Sequence, residues 1–241
     1  MKLAFASDFD NTIFFKSGFK DEDLIAIKDF QEKGNLFGVC TGRSMNGVVK
    51  TTDNKIKYDF YILATGAIIL DRELNPLYLD PISKDDCFKL RKTYENTHHF
   101  AYITRTDFVV IDAKYKPAVI VSSYEEIESD VYGISFQCGS EEEAKRLKTE
   151  IEKDIPGLNC HVNKFFLDIN KKGNSKGNSL KKLKSLLSLD KVAAIGDSYN
   201  DITMLENADK SYTFNSSPEI VKKEADVLVD SVSEALFDYI K

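Results

Sequence analysis

The chain opens on the apolar run Leu3-Ala4-Phe5-Ala6-Ser7 and turns at once to Asp8-Phe9-Asp10-Asn11-Thr12. A short apolar run bounded by turn residues reads as a buried strand, and its polar sequel places two carboxylates where that strand meets a loop. Side chains two positions apart on an extended backbone point the same way. Asp8 and Asp10 therefore share a side, and their charges repel unless a cation or a shared proton intervenes. Such a pair suits metal binding and a division of labour between nucleophile and acid–base catalyst. A solvated strand-end turn is the plain alternative, since Asp and Asn favour turns.

Three later segments repeat the pattern of an apolar run ending in polar chemistry. Leu36-Phe37-Gly38-Val39-Cys40 leads into Thr41-Gly42-Arg43, where a hydroxyl can donate to a phosphate oxygen and a glycine N–H can approach the same anion. Thr41 as the N-cap of a following helix is the other reading. Gly173-Asn174-Ser175-Lys176-Gly177-Asn178 precedes apolar positions at Leu180, Leu183, Leu186 and Leu187. That helical spacing puts Lys176 at or near a helix N-terminus, where a cation opposes the dipole unless an anion lies close by. Val192-Ala193-Ala194-Ile195 ends in Gly196-Asp197-Ser198-Tyr199-Asn200-Asp201, which reads either as two acids and an amide at a site or as an Asx-type turn with an N-cap. Parallel strands deliver their C-terminal ends to one sheet edge, where open α/β folds bind ligands. Asp8, Asp10, Thr41, Lys176 and Asp197 are expected to converge there.

In order along the chain, Asp8 to Thr12, Thr41 to Arg43, Lys176-Gly177 and Gly196 to Asp201 resemble the four motifs of the haloacid dehalogenase superfamily of phosphohydrolases, specifically its Cof-like branch. The resemblance spans nearly the whole chain. It implies a Rossmann-like parallel-sheet core with an inserted α+β cap of the C2B type, and a Mg²⁺-dependent phosphatase of small phosphorylated metabolites working through an aspartyl-phosphate. Asp8 becomes the nucleophile and Asp10 the acid–base catalyst. Mg²⁺ is expected on the Asp8 and Asp197 carboxylates and the Asp10 backbone carbonyl, with Asp201 in support. Thr41, Gly42, Lys176 and Asn200 are expected to bind the phosphoryl oxygens. One departure stands out: the family usually has Asn-Gly-Ala after its third core strand, and this chain has Ala64-Thr65-Gly66-Ala67. The family pattern places Thr65 and Gly66 near the rim that faces the cap, so the change is expected to bear on substrate choice. A phosphomannomutase-like mutase, with Arg105, Lys114, Lys116 and Arg146 as candidate sugar-phosphate contacts, and a ligand-binding protein with dormant chemistry are the alternatives.

Composition fits a soluble globular protein: 241 residues, 42% hydrophobic and 30% charged. The net charge of -6 argues against broad binding to nucleic acid or anionic membranes. Local Lys, N–H groups and metal must then meet an anionic substrate. Cys40, Cys87, Cys138 and Cys160 form no C-x-x-C pair, no apolar run is long enough for a membrane span, and Asp8 interrupts the start before a signal-peptide core could form. A cytoplasmic monomer or weak homo-oligomer with free thiols is the resulting expectation. His98, His99 and His161 have no metal-like spacing and read as surface or packing residues.

Element order sets the expected domains. Strands at 3 to 7, 36 to 40 and 60 to 64 alternate with helices at about 21 to 33 and 44 to 50, which predicts a parallel sheet. The core resumes with the Lys176 helix, the strand ending at Gly196, a short helix, and strands at 211 to 214 and 226 to 229. From about 82 to 167 the order changes to helix 83 to 97, a hairpin of Phe100 to Arg105 with Phe108 to Ala113, strand 131 to 138, helix 141 to 153, and strands 159 to 162 and 165 to 169. That doubled helix-strand-strand pattern predicts an antiparallel sheet backed by helices. The expected division is a core of 1–81 with 168–241 and a cap of 82–167, flanked by Pro81 and Gly173.

Overall fold

A computed structural model of the chain describes residues 1–111 and 118–241. The chain forms two compact units: Met1–Gly42 with Thr52–Tyr78 and Ser175–Lys241, and Arg43–Thr51 with Leu79–Asn174. The second is wider than the sequence pattern suggests. Asn174 Nδ2 donates to the Asp80 carbonyl at 3.2 Å and Lys171 pairs with Asp80, so the ends of the insertion are tied to one another. The Asn46 N–H donates to the Thr106 carbonyl at 2.8 Å, which joins the helix after Gly42 to this unit.

The elements of the chain's first part are β1 (Leu3–Ser7), α1 (Asp21–Glu32), β2 (Leu36–Cys40), α2 (Met45–Thr52), β3 (Phe60–Leu63), β4 (Ile68–Asp71) and β5 (Pro76–Leu79). The middle part contains α3 (Lys84–Tyr94), β6 (Phe100–Thr104), β7 (Phe108–Ile111), β8 (Val119–Val121), β9 (Val131–Gln137), α4 (Glu141–Asp154), β10 (Leu158–Asn163) and β11 (Phe166–Lys171). The last part runs α5 (Lys176–Leu186), β12 (Lys191–Ile195), α6 (Ile202–Glu206), β13 (Lys210–Phe214), α7 (Glu219–Lys222), β14 (Val227–Val229) and α8 (Val232–Tyr239).

The sheet of the first unit has the strand order β14-β13-β12-β1-β2-β3-β4-β5. From β14 to β3 every pairing is parallel, with Phe5 opposite Ala193 on one side and Phe37 on the other. β1 is central and almost wholly buried, so it can be apolar on both faces. One face packs Ala4, Ala6, Cys40 and Ile62 against Leu180 and Leu183 of α5. Full burial of a leucine such as Leu183 contributes about 1.5–3 kcal/mol. The other face is aromatic, with Phe5 in contact with Phe30, Phe37, Tyr212 and Tyr239.

The expected parallel sheet is corrected at its edge. β4 pairs antiparallel to β3, Ile62 opposite Ile69, and β5 adds a further edge strand. Only a short turn at 64–67 separates β3 from β4, too little chain for a crossover, so the direction must reverse.

The second unit is a six-stranded sheet, β10-β11-β9-β6-β7-β8, antiparallel from β10 to β7. β8 pairs parallel to β7, a strand the sequence pattern did not suggest. The predicted hairpin strand Phe108 to Ala113 is seen to Ile111; Asp112 and Ala113, with Lys114 and Lys116, lie outside the described residues. Cys87 and Leu90 of α3 and Ala144, Leu147 and Ile151 of α4 cover one sheet face around Ile134 and Phe136. Ser83 and Ser140 cap these helices, accepting the N–H groups of Asp86 and Glu143, and acidic residues fill both first turns. Tyr102 is fully buried in this core, which makes it a packing residue, while Arg105 is exposed.

Candidate active site

Asp8 stands one residue beyond β1, its N–H donating to the Ile195 carbonyl at 2.9 Å. Lys176 is the first residue of α5, whose N-cap Ser175 accepts the Asn178 N–H. The Lys176 ammonium, 1% exposed, donates to Asp8 Oδ1 and to Asp201 Oδ1, each at 2.6 Å. The anion that this helix-terminal cation calls for is thus supplied by the chain's own carboxylates. Thr12 Oγ1 lies 3.0 Å from Asp8 Oδ2 and 3.2 Å from Asp197 Oδ1. Its single proton satisfies one carboxylate at a time.

Asp201 is fully buried and its position is built from the backbone outward. Its Oδ2 accepts the N–H groups of Asp197 and Ser198 at 3.1 and 3.0 Å. With Ser198 it forms a reciprocal capping box on the turn Tyr199–Asp201. The N-cap reading and the site reading of this segment therefore hold together: the cap is what aims the acid. Gly196 is required by close approach, because a β-carbon there would stand 2.4 Å from Asp201 Cβ. Thr41, by contrast, is not a helix cap. It is buried, four residues before α2, and its N–H donates to the Ile62 carbonyl at 2.8 Å.

The electrostatics are those of acids crowded around one cation. Burial and the neighbouring Asp201 charge push the Asp8 carboxyl up to about 7, with Lys176 pulling the other way. Burial and Asp201 also raise Asp197. Burial works against the Lys176 charge, yet the carboxylates of Asp201 and Asp8 hold its ammonium above the ordinary lysine range. One oxygen from each of Asp8, Asp197 and Asp201 lies within 4.8 Å of the others. Three acids against one lysine leave negative charge over, and the all-oxygen donor set fits a hard divalent cation such as Mg²⁺. A cation there would reverse the upward push on the acids.

Asp10 lies just past this cluster, exposed, where a tight turn brings the Asn11 N–H to the Phe14 carbonyl at 2.9 Å. Its carboxylate is outside the three-acid group, so the expected convergence does not extend to the Asp10 carboxylate: the chain turns after Asp8 and does not continue as an extended strand. Asn200 is exposed, its Oδ1 accepting from Ser198 Oγ at 2.7 Å. Two features escaped the sequence reading. Thr12 was legible only as the end of a motif, although its place four residues after Asp8 is the signal. A cavity of about 300 Å³, lined by Asn11, Phe15, Lys20, Asp197, Ser217 and Asp230, draws on four separate segments and left no local trace.

A family model described as haloacid dehalogenase-like hydrolase matches residues 5–240. The chain belongs to the haloacid dehalogenase-like hydrolases. Among relatives of this hydrolase, the 5-amino-6-(5-phospho-D-ribitylamino)uracil phosphatase YcsE of Bacillus subtilis is 24% identical, over 94% of this chain and 89% of that protein. A haloacid dehalogenase-like hydrolase structure from B. subtilis superimposes with a TM-score of 0.85 at 22% identity, covering 100% of this chain and 98% of the other. The subclass IIB sugar phosphatase BT4131 does so with a TM-score of 0.83 at 20% identity, over 99% of each chain. At these identities the structures speak for a shared fold. No helix among the described residues is long and apolar enough to cross a membrane.

Proposed function

We propose that this hydrolase is a Mg²⁺-dependent phosphatase of small phosphorylated metabolites that works through an aspartyl-phosphate on Asp8. The observation that carries the reading is the Asp8 carboxylate itself, oriented through one oxygen by Lys176 and through the other by Thr12, among two further acids. Fixing both oxygens limits the carboxylate's rotation, and an oriented nucleophile needs less reorganisation to reach phosphorus. Asp8 attacks the phosphoryl group, the ester oxygen departs with a proton from Asp10, and Asp10 then takes a proton from the water that hydrolyses the aspartyl-phosphate. Inorganic phosphate leaves and Asp8 is restored. Bound at Asp8, Asp197 and the Asp10 carbonyl, Mg²⁺ supplies positive charge that lets a carboxylate and a phosphate dianion meet.

Thr41, Gly42 and the remaining N–H of Lys176 meet the equatorial oxygens, where charge spreads during transfer, with Asn200 at the exposed side. Asp201 is a positioning residue that holds Lys176. The segment of about 82–167 is proposed as the cap domain that selects the leaving group. Support for the substrate class comes from relatives named for phosphatase activity on a ribitylaminouracil phosphate and, over a shorter segment 32% identical, on pyridoxal phosphate in Escherichia coli. The test is phosphate release over a chromogenic aryl ester and a panel of sugar and cofactor phosphates, with Mg²⁺ and with EDTA. Release that needs Mg²⁺ is expected; no release from any ester, or release indifferent to EDTA, overturns the reading.

A further inference from the structure

Thr65 lies beside Thr41 and Gly42 yet has no part in the chemistry above. It sits in the turn after β3, where three consecutive residues adopt left-handed backbones: Ala64 at φ 48°, Thr65 at φ 53° and Gly66 at φ 97°. Gly66 fits for two reasons. Glycine tolerates that φ, and a β-carbon there would run into the Ser175 carbonyl oxygen and Ser179 Oγ, each at 2.4 Å. Threonine has no such licence, because left-handed backbone is an outlier for a β-branched residue, whereas Asn or Gly would hold the same turn with less strain. The surroundings impose the conformation. The Thr65 N–H donates to the Thr41 carbonyl at 3.1 Å, and Ser179 Oγ donates to the Gly66 carbonyl at 2.6 Å.

What threonine gains there is a place for its hydroxyl. A β-carbon at Gly42 would stand 3.3 Å from Thr65 Oγ1 and meet no other atom within 4 Å outside its chain neighbours, so that hydroxyl stands over the Gly42 backbone. Thr65 is only partly buried, so a ligand at Gly42 can reach it. Strain that a packed surround maintains points toward function.

We propose that Thr65 is a further phosphate-contacting residue, its hydroxyl donating to an oxygen of the phosphoryl group held at Thr41 and Gly42. The inference rests on the phosphatase reading and deepens it. The ligand class is a phosphomonoester or free phosphate, and the contact is common to all of them. Its loss therefore weakens every substrate alike and does not reorder them.

The test is calorimetric binding of inorganic phosphate in saturating Mg²⁺ to the full chain and to Thr65→Val, Thr65→Ser, Thr65→Ala and Thr65→Asn, with KM and kcat for two unrelated esters. Thr65→Val keeps the shape and the strain, so its melting temperature stays near that of the parent. Its phosphate affinity falls about tenfold or more, and KM for both esters rises by the same factor with a smaller change in kcat. Thr65→Ser retains binding, and Thr65→Asn, relieved of β-branching, melts a few degrees higher. Should the valine variant unfold, the serine and alanine variants decide the same question. A folded valine or alanine variant with parental phosphate affinity, or a loss confined to one ester, overturns the inference alone. A parent that neither binds phosphate nor hydrolyses any ester removes the phosphatase reading and the inference with it.

Discussion

The two sheets of this molecule handle polarity in opposite ways. Among the described residues, every charged residue buried as a whole, Asp8, Asp23, Lys176 and Asp201, belongs to the first unit. The buried polar groups of the second are neutral: Ser44, Thr104, Asn170 and Asn174. Topology accounts for much of the difference. Parallel strands β12, β1 and β2 end together, so the loops that follow them bring Asp197, Asp8 and Thr41 to one edge. In the antiparallel sheet, neighbouring ends face opposite ways, and polar side chains instead form a row across the strands. Asp168 lies in register with His161 on one side and with Ser135 on the other, and Ser135 Oγ donates to Asp168 at 2.6 Å. These groups are partly exposed and need no counter-ion. A buried cluster stores charge that chemistry can use, and it ties fold and activity together; a half-exposed row leaves them separate.

The comparison breaks if removing a charge from the first unit is harmless. Asp8→Asn deletes the charge of the proposed nucleophile with almost no change of volume, so phosphate release should drop by several powers of ten while circular dichroism stays native. Near-normal turnover would contradict the assignment. Lys176→Met leaves Asp8 and Asp201 facing each other without their cation. It should abolish turnover and also cost about 3–5 kcal/mol of stability, read by urea unfolding. Adding Asp201→Asn should restore part of that stability and none of the activity.

Smaller effects sharpen the contrast. Asp10→Asn keeps the backbone carbonyl but cannot carry a proton, so esters with poor leaving groups should slow far more than an activated aryl ester. Equal slowing of both in single-turnover phosphorylation would remove the acid role. In the second unit, Asp168→Ala should leave hydrolysis of a small activated ester within about twofold of normal and shift stability by less than about 1 kcal/mol. A loss on the scale of Asp8→Asn would erase the distinction between the two sheets.

Much of the first unit was legible because its chemistry sits at predictable places. Asp8, Thr41 and Asp197 each follow an apolar run, and strand-end placement is a local signal. The polarity of Lys176 against its own helix dipole also announced a neighbouring anion, although the sequence could not say that Asp8 and Asp201 supply it. What stayed hidden depends on contacts between distant segments. β4 runs antiparallel to β3, and its apolar residues look like any buried run; β5 follows it at the sheet edge. Asp201 reads as a turn residue until Gly196 and the Asp197 and Ser198 N–H groups are seen to lock it. The ends of the inserted unit shift because Asp80 bonds Lys171 and Asn174 about ninety positions away, beyond any periodicity.

The central claim, that the buried acids of the first unit transfer a phosphoryl group through Asp8, is tested most directly by finding where that group goes. Asp10→Asn protein, in which the proposed acyl-phosphate should be hydrolysed slowly, is mixed with Mg²⁺ and an activated aryl phosphate, quenched in acid and digested, and the peptides are weighed by mass spectrometry. A phosphoryl adduct on the peptide carrying Asp8, absent when Asp8 is also replaced by Asn, is the predicted result. Aryl ester turnover that survives Asp8→Asn, or an adduct on any other residue, would contradict the account.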